Sequence, residues 1–145
     1  MLRLNNRQTQ LFINNELIIE DTTFLDEPDK LLVALLEMLK CHKECAVAAF
    51  ANDFEEKLII FVSNPWNECV YVLDRVDNDK PDIKCFNVSI KELAKSIINN
   101  SDILEIIEDI RKRGKEEIAS RLENNLNELK ENINNDTIYS ANNKL

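Results

Sequence analysis

The hydrophobic period of this chain, one early leucine-rich segment apart, changes from two to 3.6 at Ser89. Before it, apolar residues alternate or run in short blocks: TQLFINNELIIE (9–20), KLIIFVS (57–63), ECVYVLDRV (68–76) and DIKCFNV (82–88). After it, they recur every three or four residues: Ile103, Ile106, Ile107 and Ile110, then Ile118, Leu122, Leu126, Leu129 and Ile133. A period of two sends successive side chains to opposite faces of a strand, and a period of 3.6 lines one face of a helix. Strands gathered first and helices last predict an α+β fold with a mostly antiparallel sheet, not the strand–helix alternation of a parallel one.

Local signals fill in the elements. Asn14-Asn15 sits between two apolar runs and tolerates positive φ, so residues 9–20 read as a hairpin. Asp26-Glu27-Pro28-Asp29 opens a helix, because proline is preset for the first turn and acids suit the positive end of the dipole. That helix carries Leu31, Leu32, Leu35, Leu36 and Leu39 on one face. CAVAAFA (45–51) is ambiguous between strand and helix; Val47, Phe50 and the turn-like Asn52-Asp53 favour a strand. KLIIFVS is apolar on both faces, as a central strand is. DNDKPD (77–82) is a turn by composition. Ser89 and Glu92 have capping-box spacing, Ser101 is placed to cap the next helix, and Arg111-Lys112-Arg113-Gly114 has the form of a helix C-terminus. The expected architecture is a single domain over residues 1–133: a four- to six-stranded sheet, one early helix and a C-terminal helical block. Residues 134–145 read as a disordered tail.

Composition excludes several chemistries. With a single Gly in 145 residues, the chain has no glycine-rich phosphate cradle, which needs several. With a single His, it has no multi-histidine zinc site and no paired-imidazole acid–base chemistry. The formal net charge of −9 opposes nucleic acid and anionic membranes as partners and favours a basic protein reached by electrostatic steering. The four cysteines (41, 45, 69 and 85) lack the loop-rich spacing of secreted scaffolds. No apolar run approaches the ~18 residues needed to cross a bilayer. The expectation is a cytoplasmic protein with reduced thiols.

Three constellations bear on chemistry. His42-Lys43-Glu44, followed by a strand and then Pro65-Trp66-Asn67-Glu68-Cys69, resembles the H-x-E…P-C-x-x-C pattern of zinc-dependent nucleobase deaminases. The resemblance implies a zinc ligand at His42, a proton carrier at Glu44 and a thiolate at Cys69. Trp66 stands where the other thiolate belongs, so the site would be degenerate. Cys41, His42, Cys45, Cys69 and Cys85 are also candidates for a structural zinc site, against which stands the habit of intracellular cysteine to be a small buried apolar residue. Cys69 beside Tyr71 and Leu73, and Cys85 beside Ile83, fit a core face. The run RKRGK (111–115) suits phosphate or, more simply, a helix cap. The Ile and Leu stripes suit core or a partner helix.

The remaining feature is acidic. Asp53, Glu55 and Glu56 fall in one turn, Asp74, Asp77, Asp79 and Asp82 surround another, and Trp66 and Tyr71 are close in sequence. In an antiparallel sheet the 52–57 and 77–82 turns lie at one end. Acids around an exposed aromatic suit docking on a basic protein, since charge speeds encounter and an aromatic anchors. The partner-binding residues expected on this reading are Asp53, Glu55, Glu56, Trp66, Asp74, Asp77, Asp79 and Asp82. In size, charge and lack of catalytic motifs the chain resembles the small acidic α+β immunity proteins made beside bacterial toxins. The functional expectation is a non-catalytic immunity- or antitoxin-type inhibitor of a basic toxin or nuclease, with no cofactor and no bound metal. A secretion-chaperone-like binder and the degenerate deaminase are the alternatives, and a homodimer stays open.

Overall fold

The computed structural model describes residues 1–5, 8–20, 28–51, 55–64, 66–76, 80–99 and 102–143, with side chains described as far as residue 134. Asn52, Asp53, Asp77, Asp79, Ser101 and the side chains of the expected tail from residue 135 lie outside the described residues.

The fold is α+β, and its strands divide between two antiparallel sheets. Strands β1 (Leu2–Asn5), β2 (Gln8–Ile13) and β3 (Glu16–Glu20) form one, in the order β1-β2-β3. The predicted hairpin is β2–β3: Ile13 pairs with Glu16 across Asn14 and Asn15, whose φ values of 51° and 66° are those of a type I′ turn. β1 is too short for its alternation to stand out in the sequence. A bulge follows in β3, where Leu11 faces Ile19 but Phe12 faces Leu17. Ile18 is thus left without a partner of its own, and Ile18 and Ile19 are both buried.

The second sheet runs β4 (Cys45–Ala51), β5 (Glu55–Ser63), β6 (Glu68–Val76) and β7 (Asp82–Asn87), each pairing with the next. The ambiguous segment 45–51 is a strand, with Ala46, Ala48 and Phe50 buried and the residues between them exposed. Its inner face continues through Ile59 and Phe61, Val70 and Val72, and Phe86, all buried. Helix α1 (Asp29–Leu39) packs on this face at β4 and β5.

Helices α2 (Ile90–Ile98), α3 (Asp102–Lys112) and α4 (Glu116–Asn143) close the core. α4 packs on α1, α2 and α3, and α3 also covers β1. The stripes at Ile103–Ile110 and Leu122–Ile133 are buried, so these residues are core. Ser89 caps α2, its hydroxyl accepting from the Glu92 N–H at 3.3 Å. Gly114 ends α3 with φ 80°; the Lys115 N–H reaches the Ile110 carbonyl and the Gly114 N–H reaches that of Arg111, the two bonds of a Schellman cap.

Candidate interaction surface

The register of the second sheet decides what the acidic residues do. Lys57 faces Asp74, and Asp74 faces Asp82, so the strand ends at Ala51, Glu55, Val76 and Asp82 share one end of the sheet. Residues directly opposite share a face, and this one is the inner face. Glu55, Asp74 and Asp82 therefore point beneath the sheet, toward β3. Lys57, with its side chain 15% exposed, lies 3.3 Å from Glu55 and 3.5 Å from Asp74. Its Nζ also donates to the Ile18 carbonyl at 2.6 Å, the group turned out of the ladder by the bulge. Lys84 reaches Glu16 at 2.8 Å, and that hydrogen bond holds its ammonium above the usual lysine range. A polar cavity of ≈ 150 Å³ lies among Leu17, Ile18, Lys57, Asp74 and Asp82. Two aspartates directly opposite repel, and the two lysines offset that repulsion. The lysines join the first sheet to the second, Lys57 through the Ile18 carbonyl and Lys84 through Glu16. Among the described acids of this group, Glu56 faces outward, 3.9 Å from Arg75.

Trp66 is elsewhere. It sits in the β5–β6 connection, where the Asn64 N–H donates to the Asn67 carbonyl at 3.0 Å. The Asn64 side-chain oxygen accepts from the N–H groups of Trp66 and Asn67, at 2.9 and 2.8 Å. This Asx arrangement holds the tip and leaves the indole 92% exposed. β5 and β6 are nine residues long, which at about 3.3 Å per residue puts Trp66 roughly 25–30 Å from Glu55, Glu56, Asp74 and Asp82. Among the described residues, Trp66 and the acids Glu55, Glu56, Asp74 and Asp82 stand at opposite ends of a hairpin.

The outer face of the same sheet is the surface that sequence reasoning missed. One row across it is Cys45, Val62, Cys69 and Asn87; the next is Val47, Ile60, Tyr71 and Cys85; the third is Ala49, Leu58, Leu73 and Ile83. None is charged. Val47 is 52% exposed, Tyr71 37% and Ile83 65%, and Cys45 and Cys85 are exposed as well. The core face proposed for Cys69, Tyr71, Leu73, Cys85 and Ile83 is thus the outer one, and of these only Cys69 is buried. The parity was misread because β6 is apolar on both faces, so alternation could not tell inside from outside. The Tyr71 phenol is held above its usual range, first by a hydrogen bond with the Cys69 sulfur and then by the charges of Cys69 and Cys85. Four strands about 4.8 Å apart and three rows deep make a patch of roughly 400 Å² in projection, a size at which an exposed apolar patch is often functional.

The other constellations have structural roles or no assembled geometry. Arg111 is held by Glu108, Glu116 and Glu123, which raise its guanidinium further above its usual range, Glu123 most. RKRGK is thus a cap with an ion network around it. Among the described residues, no three His, Cys, Asp or Glu side chains converge on a point where a metal ion could sit. The zinc ligand set and the deaminase-like site are not assembled from them. Among the described residues no helix is long and apolar enough to cross a membrane. Comparison with protein-family models, curated proteins and solved structures finds no match. What the arrangement offers is an apolar sheet face with an exposed indole at one end.

Proposed function

We propose that this chain is a non-catalytic protein-binding module that engages its partner through the outer face of the β4–β7 sheet, with Trp66 as an anchor beside it. The observation that carries this reading is the three uncharged rows on the outer face of β4–β7 in a chain that is 31% charged. Charged residues are depleted at the core of protein interfaces, and Trp and Tyr are enriched there. Acids on the rest of the chain supply the second ingredient, a net charge of −9 that draws a basic partner and speeds encounter. An immunity- or antitoxin-type inhibitor of a basic toxin or nuclease combines these two features. Four unpaired thiols, two of them exposed on this face, suit the reducing environment of the cytoplasm.

The test is co-expression with basic proteins encoded beside the gene, followed by gel filtration. A complex is expected whose affinity falls at least tenfold in Ile83→Glu and in Trp66→Ala, with an on-rate that slows as salt rises. Both positions are exposed, so both variants should keep wild-type circular dichroism. A complex indifferent to both substitutions would move the binding surface off this face.

A further inference from the structure

The edges of the two sheets are treated differently. At β1 the Leu4 N–H donates to Asp102 at 3.2 Å and α3 packs alongside. At β3 the Ile18 carbonyl is taken by Lys57, beside the bulge. β7 carries Asp82 and Lys84. Bulges, charges and covering elements are the devices that keep sheet edges from pairing with other chains. Among its own residues β4 carries none of these devices: CAVAAFA holds no charge, no proline and no register shift, and Lys30 meets one carbonyl of its edge.

Its hydrogen-bonding groups can be assigned from one bond. The Ser63 N–H donates to the Glu44 carbonyl at 2.9 Å, so Glu44, Ala46, Ala48 and Phe50 turn their backbone groups toward β5. Those of Cys45, Val47, Ala49 and Ala51 point to the open edge. Lys30 confirms the direction, because its Nζ reaches the Ala49 carbonyl at 3.4 Å. That contact is one exposed lysine on one carbonyl of the edge.

We propose that the occupant of this edge is β4 of a second copy, paired antiparallel about a two-fold axis at Ala48. A two-fold axis perpendicular to the sheet makes the pairing antiparallel without further requirement and presents the same strand from both sides. In this register Cys45 meets the partner's Ala51 and Val47 meets the partner's Ala49, so every outward N–H and C=O faces another. At the axis Ala48 meets the partner's Ala48, and nowhere on the outer face does a side chain larger than Val meet one larger than Ala. The strand is uncharged, so a second copy places no like charges directly opposite each other. The product is a continuous eight-stranded sheet with both apolar faces on the same side. The pairing uses the edge of the sheet, not the face assigned to a partner above, so the two readings can fail separately.

The test is sedimentation of the wild-type chain at about 100 µM, where a dimer of micromolar Kd is mostly assembled. The expected mass is twice the monomer's 16.8 kDa, and the Val47 and Ala49 amides should be protected from hydrogen exchange. Ala49→Pro removes an N–H that faces away from β5, and Ala49→Lys adds an edge charge; each should give a monomer with wild-type circular dichroism and fast-exchanging edge amides. Ile83→Glu, on the far strand, should leave the dimer intact. Because each protomer carries −9, added salt should tighten the dimer, the opposite of its effect on a basic partner. A wild-type monomer at that concentration, a dimer that survives both Ala49 substitutions, or a dimer broken by Ile83→Glu would overturn the proposal.

Discussion

The carboxylate of Glu68 accepts the backbone N–H of Ile90 at 2.9 Å, joining the first residue of β6 to the first residue of α2. The first N–H groups of a helix have no partner within it. Ser89 supplies one acceptor locally, and Glu68 supplies another from 22 positions away in sequence, with a negative charge at the positive end of the helix. This contact sets where the helical block leaves the sheet. Glu68→Ala should lower unfolding free energy by about 1–2 kcal/mol, the range for losing a charged acceptor at a helix start. Glu68→Gln, which keeps the acceptor, should lose less. Urea titration of the three proteins checks the order, and equal losses in both variants would mean that the negative charge matters and the hydrogen bond does not.

Lys57 is the tie between the two sheets. Its ammonium is nearly buried between Glu55, Asp74 and the Ile18 carbonyl, so removing it leaves acids without their counter-charge beneath the sheet. Lys57→Met should cost about 2–3 kcal/mol, because a partly buried charge left unpaired costs more than the pair contributes. Lys84→Met removes the half-exposed pair with Glu16 and should cost clearly less, with a loss that shrinks as salt screens it. Matching losses in the two variants would mean that the ladder near Lys57 is more solvated than its exposure indicates.

The α-amino group of Met1 introduces a pH dependence. Its ammonium donates to the Phe12 carbonyl at 2.8 Å, yet burial, with Arg3 adding to it, lowers its pKa from 8.0 to about 6. The unfolded chain therefore binds more protons than the folded one between pH 6 and 8, and stability rises with pH across that window. Below pH 6 the penalty for burying the charge is fully present, at most about 2–3 kcal/mol for two pH units; above pH 8 it is gone. Unfolding free energies at pH 5.5, 7 and 8.5 should increase in that order, and acetylating the amine should flatten the rise. A stability that fell over this interval would contradict the shift.

Most of the fold could be read from the sequence because the physics that sets it is local. Asn14-Asn15, Ser89 and Gly114 each announce their turn or cap, and the change of period at Ser89 separates sheet from helices. What escaped depends on pairing. Nothing in LRLN or ELIIE says that β1–β3 close as a sheet of their own, or that a bulge frees the Ile18 carbonyl for Lys57. The acidic residues drew notice as charge, but their direction is set by register, which turns Glu55, Asp74 and Asp82 under the sheet and leaves Glu56 outside. The outer face was hidden for the same reason: Ile60, Tyr71 and Leu73 look like core residues until the ladder assigns them to the side without helices.

Gly114 offers a test of how much of this architecture rests on one backbone conformation. Its φ of 80° lies where L side chains are strained, and a Cβ built there would meet no atom within 4 Å. Steric conflict with neighbours is therefore excluded as a cause, and any loss in Gly114→Ala is conformational, about 1 kcal/mol. Gly114→Asn should lose less, because asparagine enters the left-handed region more readily. The corner it forms joins α3 to α4, on the side of the molecule away from the outer face of the β4–β7 sheet. Both variants should therefore shift the urea midpoint in that order and leave the self-association of β4 unchanged. If Gly114→Ala altered the dimer as much as its stability, the helical corner and the sheet edge would be coupled, and β4 would not act as an independent edge.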